Sequence, residues 1–332
     1  MGNSVDLLSD ALDTSACIKC GACTRVCLFL QKYEMDLDVF AKKPEVSYGC
    51  FLCQKCSRVC PADIRGEQIA VAHRASLVDK NNGKVPAKGY GLTIWEKDDY
   101  KYKSYKKVKS RSVIMPGCNF SAFYPRTTEK LEQIALDNNM GVLYECCAKP
   151  VYELGMVDKA LKNVKTIEER LKSAGVEEIV CVCPNCFHFL QGKIDIKLIA
   201  IYEKLKSLGI GKCIEAEKID MFYPCPDAEN KEMEKTIEEF LPVKPNNKYR
   251  GCQCCGLGGC ACVSEPELAR EMLTRTKDKT GNMLFTYCAS CISAFRRSGL
   301  QNCEHVLPLI LGVEDEFPKG LKSVWNRVKH KF

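Results

Sequence analysis

No run of about eighteen apolar residues occurs in the chain, so no transmembrane helix is expected. The opening residues, MGNSVDLLSDALD, carry neither a basic stretch nor an apolar one behind it, and no secretory signal is expected there. Asp6 stands where N-myristoylation needs serine or threonine. No G-x-G-x-x-G follows a strand-like run, which leaves the chain without a flavin or nicotinamide fingerprint. Nor is there a basic patch interleaved with aromatics, so nucleic acid is not an expected partner. These absences point to a cytoplasmic protein, peripheral at the inner face of the membrane only where a partner holds it there.

What the chain has in excess is cysteine: 24 in 332 residues. Hydrophobic residues at 46% and charged residues at 27% are ordinary for a globular protein. A short secreted chain would spend such cysteines on disulfides. In a long chain without a signal, clustered thiols read as metal ligands. The formal charge of +7 counts every thiol as neutral. Ligand thiolates are ionised, so the loaded protein is less basic than that number.

Two runs share one spacing. CIKCGACTRVC supplies Cys17, Cys20, Cys23 and Cys27, and CFLCQKCSRVCP supplies Cys50, Cys53, Cys56 and Cys60. Both are C-x2-C-x2-C-x3-C, the spacing of bacterial ferredoxins, in which the fourth cysteine serves the other cluster. The expected sets are Cys17, Cys20, Cys23 and Cys60 on one [4Fe–4S] cubane, and Cys27, Cys50, Cys53 and Cys56 on the second. Zinc sites use C-x2–4-C pairs and do not explain two such octets. Leu28 stands where proline often follows the fourth cysteine, which leaves ligation untouched. The insert 28–49 has apolar residues at helical spacing (Leu30, Tyr33, Met35, Phe40), and 65–79 also reads as helix. The expectation is a helical module over 1–96 rather than a minimal ferredoxin.

Residues 97–112, KDDYKYKSYKKVKSRS, are lysine-rich without apolar periodicity and read as a linker, with docking of an acidic redox partner as the functional alternative. A strand–turn–helix rhythm follows. SVIMPGC ends at Cys118, VLYECC at Cys146 and Cys147, and EEIVCVCPNC at Cys183 and Cys186; helices are expected at 125–140 and around Val157, Leu161, Val164, Ile167 and Leu171. The rhythm recurs. IDMFYPC ends at Cys225, CQCCG gives Cys254 and Cys255, a helix opened by Ser264 and Pro266 covers 265–280, and NMLFTYCASC gives Cys288 and Cys291. Equivalent cysteines lie 107, 108, 108, 105 and 105 residues apart. That regularity implies two copies of one α/β unit, 113–213 and 214–332, each built on a parallel sheet. Each copy holds five thiols, one more than a cubane needs. Its adjacent pair is poorly suited to a disulfide, because neighbouring Cα atoms are about 3.8 Å apart, below the usual disulfide separation.

The Cys-Cys-Gly pattern resembles the CCG domain of the cysteine-rich chain of heterodisulfide reductase, and the ferredoxin runs resemble the ferredoxin-type chain of the same enzyme. Together they resemble the fused form, found in the membrane-linked enzyme, that carries both in one polypeptide. The chain is also similar to the iron–sulfur subunits of anaerobic glycerol-3-phosphate dehydrogenase, glycolate oxidase and thiol:fumarate reductase. The resemblance implies two noncubane [4Fe–4S] clusters, one on Cys118, Cys146, Cys147, Cys183 and Cys186, the other on Cys225, Cys254, Cys255, Cys288 and Cys291. It implies an α+β multidomain fold, with a helical ferredoxin-type 2×[4Fe–4S] domain followed by two α/β CCG units. It implies an oxidoreductase subunit in which electrons reach the CCG clusters through the cubanes and reduce a disulfide or thiol substrate. A flavoprotein or a cytochrome b would be the partner. The alternative is an electron-transfer subunit of a flavoprotein dehydrogenase acting on glycolate, lactate or glycerol 3-phosphate; a redox sensor is the weaker third reading. The first copy departs from the pattern, with Ala148 in place of the glycine.

Six cysteines fall outside these sets. Cys181 reads as core packing on a strand; Cys213 and Cys303 have no assigned role. Cys252, Cys260 and Cys262 flank the second Cys-Cys pair, as packing residues or as redox-active spares, and Gly256, Gly258 and Gly259 would let backbone lie close to a cluster. His188 reads as a hydrogen-bonded structural histidine, with proton supply as the alternative. His305 opens a packing segment, HVLPLILG. LKSVWNRVKHKF reads as a solvated basic helix, with a partner or membrane surface as the alternative.

Overall fold

The computed structural model describes residues 8–246, 249, 254–278 and 283–331. It divides into two compact units, neither continuous in sequence. One comprises Met1–Asp99, Ala148–Lys162 and Cys252–Asp278; the other comprises Tyr100–Cys147, Asn163–Gly251 and Lys279–Phe332. The first change of unit falls inside the lysine-rich segment 97–112. That segment is not all connector: Ser104–Lys107 forms strand β1, paired antiparallel to β3 (Gly141–Tyr144). Its exposed lysines lie on a sheet edge, where charge discourages further strand pairing.

The first unit is helical. Over the insert 28–49 the apolar residues serve three short pieces, helices Leu28–Lys32 and Leu37–Phe40 and the 3₁₀ turn Pro44–Gly49. They bury Phe29, Leu30, Leu37 and Phe40, and the turn between the first two buries Met35. Asp36 starts the second piece, its carboxylate accepting from the Val39 N–H at 2.8 Å. Helix Gly66–Lys80 has no single apolar face, because it is covered on several sides: Ile69, Ala70, Val71, His73, Arg74 and Val78 are all buried. Tyr48, Tyr90 and Leu154 form an apolar cluster against it, joined by Leu77, Ile94 and Cys260. Helix Pro266–Lys277 has proline in its first turn as expected, but its cap is Glu265 and not Ser264. The serine is engaged by the Tyr90 hydroxyl at 2.8 Å. Glu265 accepts from Lys32 Nζ at 2.6 Å and from the Tyr33 hydroxyl at 2.5 Å.

The second unit holds two sheets. In the larger the order is β1-β3-β2-β4-β5, with β2 at Ser112–Met115, β4 at Glu178–Cys181 and β5 at Lys197–Ala200. All pairings except that of β1 are parallel. In the smaller the order is β6-β7-β8, all parallel, over Asp220–Met221, Leu284–Thr286 and Cys303–His305. The sequence repeat is visible in this topology: β6, β7 and β8 stand in the order of β2, β4 and β5. The counterpart of β3 would fall at 249–252, where Tyr249 alone is described. Val113, Ile114 and Met115 are buried in succession, as in a strand covered on both faces. The C-terminal helix, Lys322–Val328, is docked rather than fully solvated. Asn326 is buried and its Nδ2 donates to the Ala122 carbonyl at 2.9 Å, while Trp325 on the other face stays exposed.

Candidate metal centres

The two cysteine runs of the first unit have the same backbone. In CIKCGAC the left-handed residues are Lys19 (φ 53°) and Gly21 (φ 69°); in CFLCQKC they are Leu52 (φ 50°) and Gln54 (φ 61°). Left-handed residues at the third and fifth positions reverse the chain tightly, so three thiols can face one point. Three non-glycine residues accept that conformation, which costs conformational energy. Cys17, Cys20, Cys23 and Cys60 line one small cavity of about 20 Å³ with Leu37 and Ile64. Cys20 is exposed, and Cys17 and Cys60 are half-buried. Cys27 points the other way. Its thiol is hydrogen-bonded with that of Cys56 and lies within charge reach of Cys53 and Cys50, and all four are buried. The bond to Cys56 and then burial push the Cys27 thiol up. Burial holds Cys50 at about 12. Cys23 feels the charge of Cys56, so the two sets are neighbours.

Arg74 stands beside the buried set. Its Nε and Nη2 donate to the Ser47 carbonyl at 3.1 and 2.8 Å, and Nη2 donates to the Cys50 carbonyl at 2.7 Å. Nη1 donates to Glu153 at 2.7 Å and to Gly259 at 3.0 Å. All three segments of the first unit meet on this one guanidinium. Cys254 belongs to the same unit and lies within charge reach of Cys53. The Gly256 N–H donates to its sulfur at 3.3 Å. The glycines after it serve chain packing. A Cβ on Gly258 would lie 2.1 Å from the Phe51 carbonyl oxygen, so backbone runs against backbone beside the Cys50–Cys53 loop.

In the second unit the first copy's thiols sit beyond the carboxyl ends of parallel strands, the usual location of sites in open α/β sheets. Cys118 follows β2, Cys146 and Cys147 follow β3, and Cys183 and Cys186 follow β4. The Cys186 thiol is hydrogen-bonded with those of Cys147 and Cys183, which raises it. A Cβ on Gly117 would lie 3.0 Å from Cys183 Cβ and 3.3 Å from Cys186 Sγ, which sets the Cys118 turn against that pair. From the second copy, Cys225 follows β6, and Cys288 and Cys291 follow β7 and are hydrogen-bonded to each other. The two C-x-x-C loops touch. Asn185 Nδ2 lies 3.8 Å from Cys288 Sγ, and Asn119 Nδ2 donates to Ser290 Oγ at 2.7 Å. Cys254 and Cys255, the remaining pair of the second copy, lie in the first unit.

The residue after each Cys-Cys pair is left-handed: Ala148 at φ 65° and Gly256 at φ 81°. Alanine at the first position therefore keeps the conformation that glycine favours. We expect Gly256→Ala to cost about 1–2 kcal/mol for the backbone alone, with the Ala269 carbonyl oxygen 3.1 Å from the new Cβ adding to it. Ala148→Gly is expected to change stability by less than about 1 kcal/mol. The strain relieved is offset by the lost buried methyl and the freer unfolded chain. Denaturant midpoints of the two variants check this; equal and large losses would contradict it.

His188 is tied at both nitrogens, to Asp227 Oδ1 at 2.7 Å and Gln191 Oε1 at 3.2 Å. Asp227 also accepts from the Tyr287 hydroxyl at 2.6 Å and from the N–H groups of Met233 and Glu234. Burial alone would raise its carboxyl, yet these bonds hold it below the usual carboxylate range. Cys181 is fully buried on β4. Cys260 packs on the Tyr48 cluster, Cys262 is within charge reach of Cys254, Cys303 Sγ donates to the Leu300 carbonyl at 3.3 Å, and Cys213 is exposed. Cys252 lies outside the described residues.

Among the described residues, no three His, Cys, Asp or Glu side chains close on a single metal ion, and no helix is long and apolar enough to cross a membrane. The donors are soft thiols gathered in sets, and that donor chemistry suits iron–sulfur groups. Residues 113–191 and 219–296 each match the family model of the CCG cysteine-rich domain. Comparison with curated proteins finds no match.

Proposed function

We propose that the chain is an iron–sulfur oxidoreductase of the fused heterodisulfide reductase type, working as one chain of a complex. When bound, two cubanes would relay electrons to two noncubane CCG clusters that reduce a disulfide-type substrate. Cys17, Cys20, Cys23 and Cys60 would hold the cubane nearer the surface, and Cys27, Cys50, Cys53 and Cys56 the buried one. Cys118, Cys146, Cys147, Cys183 and Cys186 would hold one CCG cluster, and Cys225, Cys254, Cys255, Cys288 and Cys291 the other. The observation that carries the relay is the succession of neighbours inside the first unit: Cys23 beside Cys56, and Cys53 beside Cys254. Thiols exposed at Cys20 give way to thiols fully enclosed at Cys53, so electrons can enter at the surface and move inward. Electron supply then falls to a separate flavoprotein or cytochrome b.

The test is the reconstituted chain under anaerobic conditions. It should bind about sixteen irons if four [4Fe–4S] sites fill, and reduced viologen should then drive turnover of a disulfide. Full iron with no turnover of any disulfide or mixed disulfide would overturn the reductase reading. Reduction only through an added flavoprotein dehydrogenase and its substrate would favour the electron-transfer role instead.

A further inference from the structure

Tyr202 is fully buried, and among the described residues its hydroxyl has no hydrogen-bond partner. An unpartnered buried hydroxyl costs about 1–3 kcal/mol, so its place calls for an explanation. It opens helix Ile201–Ser207, directly beyond the carboxyl end of β5. There it lies within charge reach of Cys288, Asp227 and Cys183, a thiol from the C-x-x-C of each copy and the carboxylate between them.

Asp227 does not need this proton. Oδ1 already accepts from His188 and the Met233 N–H, and Oδ2 from Tyr287 and the Glu234 N–H. That fills a carboxylate's roughly four acceptor positions. Packing does not need the hydroxyl either. The spacing of 105 that relates Cys183 to Cys288 also relates Tyr202 to Leu307, which is fully buried and opens the equivalent helix after β8. The same place in the fold is thus filled by an apolar side chain in the other copy. What sets Tyr202 apart is a buried donor without a protein partner among the described residues, within charge reach of a thiol from each of the two C-x-x-C loops.

We propose that Tyr202 donates its hydroxyl hydrogen bond to an anionic sulfur held between the C-x-x-C loops of the two CCG copies. It is a positioning residue, present in one copy alone. The sulfur belongs either to the bound iron–sulfur group or to an incoming thiolate; the proposal rests on the iron–sulfur reading above.

The test uses Tyr202→Phe in the full chain, with Tyr202→Leu, the counterpart's residue, as a second variant. In the metal-free protein the phenylalanine variant should melt at or above the parent temperature, since no protein bond is lost. A melting temperature lower by several degrees would overturn the proposal, because the hydroxyl would then have a structural partner. In the reconstituted protein, electron–nuclear double resonance should show an exchangeable proton coupled to a CCG-site signal in the parent and not in either variant, at equal iron content. The coupling in resting protein would place the acceptor on the bound group, and its appearance only after 2-mercaptoethanol would place it on a thiolate ligand. A coupling that persists in both variants, or is absent from the parent in both states, overturns the proposal. Missing iron at the CCG sites would instead count against the iron–sulfur reading itself.

Discussion

Replacing Arg74 by methionine is expected to destabilise the first unit by at least about 3 kcal/mol. The guanidinium uses all five of its N–H donors on the carbonyls of Ser47, Cys50, Glu153 and Gly259. Methionine fills much of the volume but leaves the carbonyls of Cys50, Glu153 and Gly259 without a donor, each costing roughly 1 kcal/mol or more, while the Ser47 carbonyl keeps the Cys50 N–H at 3.1 Å. Lysine has three donors at one point and can keep at most part of the set, so Arg74→Lys should recover about half of the loss. A denaturant midpoint for Arg74→Met within about 0.5 kcal/mol of the parent would sink this account. The same substitution removes a fixed positive charge next to Cys50. Positive charge favours the more reduced, more negative state of a bound cluster, so the potential of the group on Cys27, Cys50, Cys53 and Cys56 should fall in potentiometric titration. A rise would mean that Arg74 does not act on that set electrostatically.

Arg74 also marks where sequence reading stops. The likeness of the two cysteine runs was legible because their backbone is a local property: the third and fifth residues of each run take the same left-handed turns. The second sheet was legible because spacings of 105 to 108 residues carry strands β2, β4 and β5 onto β6, β7 and β8. The discontinuous units were not. Residues 148–162 and 252–278 join the first unit through backbone carbonyls and apolar contacts, and carbonyls leave no trace in residue identity. An arginine inside IAVAHRASLV was the available signal, since a cation in an apolar run must find partners. Tyr202 could have been found the same way, by setting the copies in register and asking which polar residue faces an apolar counterpart. The lysine segment misled in the other direction. Its composition reads as solvated linker, yet burial of Ser104 and half-burial of Tyr105 suffice to seat an edge strand.

Substituting Cys27 and Cys60 singly should remove two different cubanes, and each should be the one that the other cysteine run mainly builds. The reason is geometric. Helix Ala22–Val26 carries the chain from Cys23 to Cys27 over about 6 Å of rise, and Cys27 then meets Cys56 rather than Cys17 or Cys20. The 3₁₀ turn Ser57–Val59 does the same after Cys56, and Cys60 lines the cavity of Cys17, Cys20 and Cys23. The two sets differ in exposure, which gives the experiment its handle. A chelator with a mild oxidant should strip about four irons quickly from the set containing exposed Cys20, and about four slowly from the buried one. Cys60→Ala should abolish the fast phase and spare the slow one. Cys27→Ala should do the reverse, and should also stop viologen-driven disulfide turnover, because the buried set is the neighbour of Cys254. If each run instead completes its own cube, Cys27→Ala will remove the fast phase, and both the crossed ligation and the inward relay built on it are wrong.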